Sequence, residues 1–145
     1  MHISEGVLSF STVAAGWVAT TAIAVPSLRA VKGEDLPKMA VLTAVFFVSS
    51  LIHIPFGPTS VHLNLNGLVG VVIGFGAYPA ILLGLALQAV LFQHGGLMVL
   101  GINGVLMGLP ALGAYGIFRL GDRVAHPNKN FLFGFLAGAS ATALT

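Results

Sequence analysis

The chain begins Met1-His2, and a free amine followed at once by histidine is a chelate in its own right. The amine of Met1, the backbone nitrogen of His2 and the Nδ1 of its imidazole close adjacent five- and six-membered rings and put three nitrogens in one plane. One more imidazole completes a square, a geometry favoured by Ni(II) or Cu(II). Such a site needs a deprotonated amide and a neutral ring, so metal binding releases protons and weakens in acid. The enzyme that removes initiator methionine needs a small second residue. His2 is large, so Met1 is expected to stay, its amine free once any formyl group has gone. The fourth nitrogen must come from another histidine. His62 is the best candidate, because GPTSVHLNLNG is a long polar stretch bounded by Gly and Pro; His53 and His94 compete with it.

The elements that would carry these groups are membranous. Of 145 residues, 57% are hydrophobic and only 7% charged, against about 25% charged in soluble domains. No basic face exists to neutralise a run of phosphates, which excludes nucleic acid as a partner. The absence of cysteine removes disulfides and thiolate metal sites. Ala22-Ile23-Ala24 imitates a signal-peptidase site, but no Lys or Arg precedes Arg29, so the first apolar stretch is expected to be retained as a span.

Apolar periodicity and length predict an all-α polytopic transmembrane bundle of five spans, at 7–28, 39–56, 67–79, 80–92 and 97–118, and the start of a sixth at 131–145. A spanning helix needs about 20 residues, so the sixth is expected to be cut short or completed by another chain. The whole is expected to form a single membrane domain, 1–145. All six basic residues lie in two loops: Arg29, Lys32 and Lys38 after the first span, and Arg119, Arg123 and Lys129 after the fifth. The positive-inside rule puts both loops in the cytoplasm and the N-terminus outside. His2, His53, His62 and His94 then share the outer face, and only His126 is inside. Gly70 and Gly74, like Gly134 and Gly138, have the spacing of close helix packing, as do Ala15 and Ala19 in the first span. Gly74-x-Gly76 lies within an apolar stretch, which rules out a phosphate loop there.

Three motifs then become recognisable together: an N-terminal Met-His-Ile-x-Glu-Gly, the central G-P-T-S-V-H-L-x-x-N-G-L-V-G, and G-G-L-x-x-L-G-x-N at 95–103. From Met1 to about Pro110 the chain resembles the CbiM/NikM family, the substrate-specific components of energy-coupling-factor (ECF) transporters for cobalt and nickel. The resemblance implies a bundle of six or seven helices in a prokaryotic plasma membrane. It implies metal held by the amine of Met1, the backbone and ring nitrogens of His2, and His62. It further implies ECF ATPase subunits, a transmembrane coupling subunit and a small accessory membrane subunit as partners. Asn103 matches a family asparagine. Its amide is expected to brace the metal loop or to bond a neighbouring helix. His53 and His94 are expected to support the ligands at most.

These features favour a subunit that captures Ni(II) or Co(II) as transported substrate, holds no cofactor, and is not itself an enzyme. SVHLNLNGLVG points to the nickel branch. No Walker lysine follows a glycine loop, so ATP would be hydrolysed by partners. A zinc metalloenzyme would need an open coordination position and a general base. Glu5 is the only outer carboxylate, and it reads more simply as an interfacial charge or one set near a helix N-terminus. A passive channel would need polar residues along several spans, and here the interiors offer little beyond Gln88, Asn103 and scattered Ser and Thr.

Overall fold

A computed structural model of the protein describes residues 3–56 and 59–145, with side chains outside 53–62. Six α-helices follow in order: α1 Phe10–Ala30, α2 Leu36–Leu51, α3 Asn66–Ile73, α4 Ala77–Phe92, α5 Leu100–Leu120 and α6 Lys129–Ala143. Between α2 and α3 the chain makes two short antiparallel strands, β1 His53–Phe56 and β2 Thr59–His62. By length and apolar character, three stretches suffice to cross a bilayer: Phe10–Ala30, Asn66–Phe92 and Leu100–Arg123. Six helices stand where five spans and the start of a sixth were expected, but among the described residues only these three stretches reach spanning length, so the count of five spans and a sixth is not matched. The apolar run at 39–56 ends its helix at Leu51 and continues as β1, because Pro55 has no N–H to give the Leu51 carbonyl and would clash with it, and the paired strand takes over the backbone bonds.

The stretch 66–92 is not one straight span. Gly70 packs against the backbone of Ala111 and Gly74 against the ring of Tyr115, so α3 runs parallel to α5. Tyr78 lies on Gly108 and Leu82 on Gly104, so α4 runs back antiparallel to α5. The reversal occurs at Gly74, whose φ of +58° is open to glycine and strained for other residues. This half-length α3 begins deep: Asn66, fully buried, donates to the carbonyl of Met107 two turns inside α5.

The same pairings orient the rest. Gly101 meets Trp17 and Gly104 meets Thr20, so α1 is parallel to α5; Gly84 meets Phe46 and Gln88 bonds Ser50, so α2 is parallel to α4; Gly121 meets Phe133 and Gly134 lies by Phe118, so α6 returns antiparallel beside α5. Small residues set these approaches. A Cβ on Gly16 would stand 2.8 Å from the backbone nitrogen of Ile102. Of the two glycine pairs singled out in sequence, Gly70 makes a close helix contact and Gly74 makes the turn. The exposed Ala15 leaves the α1 contact to Gly16. The core gathers around α4 and α5, with Phe46, Val69, Ile81, Leu85 and Met107, while apolar side chains such as Val18, Leu83, Val90, Phe131 and Phe135 face outward. An apolar exterior over an internally bonded helical bundle is the form a bilayer demands.

By this alternation all six basic residues fall at one end of the bundle. The N-terminal segment, the strand hairpin and the 93–99 loop fall at the other. Gly70→Ala is expected to destabilise the bundle by about 1–3 kcal/mol, the usual range for overpacking, because its Cβ would enter the Ala111 carbonyl. Gly113→Ala, which meets open space, is expected to be neutral or slightly stabilising. Thermal unfolding in detergent checks the pair.

Candidate metal site

The first described residues form no helix, so their backbone groups need partners from elsewhere. Asn103 supplies two. Its Oδ1 accepts from the N–H of Ile3 at 2.8 Å and its Nδ2 donates to the carbonyl of Ile3 at 3.0 Å. One buried amide, one turn into α5, thus pairs with residue 3 as a neighbouring strand would. Both bonds reach the backbone of Ile3, in the segment that follows His2; among the described residues Asn103 makes no side-chain bond to a neighbouring helix.

Two residues on, Glu5 repeats the attachment. Its N–H donates to the carbonyl of Gly95 at 3.1 Å, and its carboxylate accepts from the N–H of Met98 at 2.9 Å. Met98 lies just before α5, where amides point outward and a negative charge is favoured. Glu5 therefore sits near a helix N-terminus, as one sequence reading had it, but the helix is α5. A side chain at Gly96 would collide with that of Glu5, and Gly96 has a φ of +131°; both facts require glycine there. The indole Nε1 of Trp17 donates to the carbonyl of Met98 at 3.0 Å, so the 93–99 loop is held on two sides.

The histidines divide as follows. Met1 and His2 lie outside the described residues, as do the side chains of His53 and His62. The backbone register places His53 directly opposite His62. The adjoining bond, Leu63 N–H to the Ile52 carbonyl at 3.3 Å, makes this a non-hydrogen-bonded pair, the closer of the two antiparallel spacings at about 4.5 Å between Cα atoms. His94 is half-buried at the start of the 93–99 loop; its N–H donates to the carbonyl of Gln88, and Gly95 beside it binds Glu5. His126 is at the basic end, where its Nδ1 accepts from Asn128. Among the described residues, no three His, Asp or Glu side chains converge. What is described is the frame: the segment after His2, the hairpin that bears His53 and His62, and the loop that bears His94, all at one end.

A cavity of about 460 Å³ lies at the opposite, basic end, lined by Lys38, Gly74, Phe75, Tyr115 and Arg119 among others. Its charges are engaged: Lys38 caps the carbonyl of Val72 at 2.8 Å, and Arg119 pairs with Asp122 at 3.2 Å. It is remote from the frame and takes no part in it.

Sequence reasoning did not find the strand hairpin, the Trp17 and Glu5 bonds or the deep Asn66. The motif MHISEG held the Glu5 signal, but a carboxylate's partner ninety residues away has no local pattern.

The family model described as the cobalt uptake substrate-specific transmembrane region, CbiM, matches residues 2–145. A candidate metal transport protein of Haemophilus influenzae is 44% identical over 119 residues, which is 82% of this chain and 58% of that protein. The fused nickel transport protein NikMN of Rhodobacter capsulatus is 33% identical, over 86% of this chain and 38% of its own. The cobalt transport protein CbiM of Acetohalobium arabaticum is 32% identical, over 100% of this chain and 61% of its own. The chain thus spans from about two-fifths to three-fifths of these curated relatives. The crystal structure of a truncated transition metal transporter superposes with a TM-score of 0.80 at 28% identity, covering 100% of this chain and 72% of that one.

Asn103→Leu removes both bonds to Ile3. Each is worth about 0.5–1.5 kcal/mol net, so amide exchange of residues 3–5 is expected to quicken by about tenfold or more. Protection in α5 should not change. Hydrogen–deuterium exchange in detergent reads both.

Proposed function

This chain belongs to the CbiM family, the cobalt uptake substrate-specific transmembrane proteins, and we propose from that premise that it is the metal-capturing membrane subunit of an ATP-driven nickel or cobalt uptake system. The ligands are the amine of Met1, the backbone and ring nitrogens of His2, and the imidazole of His62. His53, His94 and Asn103 support them. The observation that carries this reading is the pair of hydrogen bonds between the Asn103 amide and the backbone of Ile3. It fixes the residue beside His2 at the end of the bundle from which the His62 hairpin rises. A chelate made of an N-terminus is floppy in a free peptide; anchoring at residue 3 and again at Glu5 removes most of that freedom before metal arrives.

A planar field of four nitrogens favours Ni(II) over Co(II), so nickel is the assigned substrate. The six basic residues at the far end set that end in the cytoplasm by the positive-inside rule, and the capture site then faces outward across the plasma membrane of a prokaryote. Energy comes from partner ATPases joined through a transmembrane coupling subunit, with a small accessory membrane subunit completing the assembly. The metal is cargo, so the chain itself catalyses nothing.

The test is Ni(II) titration of purified protein, comparing the native N-terminus with an uncleaved, histidine-free extension of several residues. The extension abolishes the amine ligand and displaces the amide. Affinity is expected to fall by more than about 100-fold, beyond the 10–100-fold typical of residues that only support a metal ligand. Unchanged affinity would place the metal elsewhere. Co(II) titrated in parallel is expected to bind more weakly.

A further inference from the structure

The cavity at the basic end takes no part in metal capture, and its lining divides by chemistry. Asp35, Lys38, Arg119 and Asp122 bring charge to it; Val72 and Phe75 bring apolar surface. The acids are satisfied inside the protein. Asp35 accepts from the N–H of Lys32 at 3.3 Å, and Asp122 holds Arg119 at 3.2 Å. The bases keep donors in hand. Lys38 pairs with no carboxylate among the described residues. Its bond to the Val72 carbonyl uses one of the three hydrogens of an ammonium. Arg119 gives Asp122 one of the five that a guanidinium carries. The Arg119 guanidinium also lies 5.8 Å from the centroid of the Tyr115 ring, and Tyr115 meets Phe75 edge-on at 5.5 Å. That stack sets a cation beside apolar surface.

Val72 and Phe75 also belong to the exterior. Leu68 and Val72, four residues apart, share one face of α3, and Phe75 follows in the turn; all three are exposed. The cavity therefore opens on the side of the bundle that meets lipid. α3 has eight residues, about 12 Å of helix. That is close to one leaflet's half of a hydrocarbon core about 30 Å thick. A cation at the membrane surface, with an apolar strip one leaflet deep leading from it, is complementary to an amphiphile that joins a phosphate to an acyl chain. The sign of the charge narrows the headgroup. This end carries all six basic residues against Glu34, Asp35 and Asp122, so it attracts a lipid of net negative charge.

We propose that this cavity is a binding site for an anionic phospholipid of the leaflet at the basic end. The phosphate accepts from the free N–H groups of Lys38, Arg119 supplies a second cation, and one acyl chain lies along Phe75, Val72 and Leu68. The site uses no metal ligand, so it stands apart from the capture reading and is tested without metal.

The 145-residue chain in non-ionic detergent is titrated with phosphatidylglycerol, with phosphatidylcholine of the same chains and with glycerol 3-phosphate, and native mass spectrometry reads the bound fraction of each. Phosphatidylglycerol is expected to saturate at one tight copy per chain and to bind at least about fivefold more tightly than phosphatidylcholine. Glycerol 3-phosphate, which has the charge without the chains, is expected to bind at least about tenfold more weakly. Lys38→Gln keeps a donor for the Val72 carbonyl and removes the charge. It is expected to weaken phosphatidylglycerol by about fivefold, the worth of one basic residue at an anionic surface. Arg123→Gln removes a charge at the same end that does not line the cavity, and is expected to change the affinity by less than about twofold. Equal weakening by both variants would reduce the binding to diffuse attraction. Equal affinity for phosphatidylcholine would deny that charge is read, and equal affinity for glycerol 3-phosphate would make this a phosphate site with no lipid. Each of these overturns the proposal, as does the absence of a saturable copy. If Lys38→Gln does not fold, Arg119→Gln, at an exposed residue, is read in its place with the same expected loss.

Discussion

A bilayer core offers no water, so every polar group that enters it must find its partner within the protein. That constraint governs this fold wherever the chain leaves the helix. The half-length α3 starts inside the bundle, and Asn66 is there to bond the carbonyl of Met107 and the hydroxyl of Thr145. The extended residues ahead of α1 have no helical bonds, and Asn103 and Gly95 supply what Ile3 and Glu5 lack. Thr20 bonds both Tyr78 and the carbonyl of Gly101, joining α1, α4 and α5 through one hydroxyl. The two buried asparagines, Asn66 and Asn103, thus serve the places where the chain departs from regular structure. Irregular backbone is in turn where a transported ion can be held.

Much of this was legible in the sequence, because hydrophobic runs and basic loops are strong local signals. The helices begin and end within a few residues of the apolar segments, and the alternation of basic and histidine-bearing loops gives the two unlike ends. The failures have one physical root. At 39–56 an unbroken apolar run concealed the change from helix to strand, since a buried strand and a buried helix share the same composition and only Pro55 hints at the difference. At 67–92 two segments were expected with the break between Pro79 and Ala80, but the chain turns back at Gly74 instead, and a glycine among nineteen does not announce a positive φ. The frame of the site was least legible. Asn103 with Ile3, Glu5 with Met98 and Gln88 with Ser50 pair residues far apart in the chain, and the family resemblance pointed to Asn103 without its partner.

The frame also suggests how capture is linked to the rest of the molecule. Ile3 and Glu5 are fastened to α5 and the loop ahead of it, Trp17 of α1 to the same loop, and Gln88 of α4 to Ser50 in the last turn of α2, from which the hairpin leaves. The capture end is therefore attached to four of the six helices. A movement imposed on the bundle by a partner would reach the ligands through those bonds, which gives release a mechanical route that needs no nucleotide site in this chain. The most direct measurement is X-ray absorption at the nickel edge of the metal-loaded protein. The account predicts four-coordinate planar nickel with only nitrogen neighbours, an imidazole among them. A six-coordinate, oxygen-rich spectrum would contradict it.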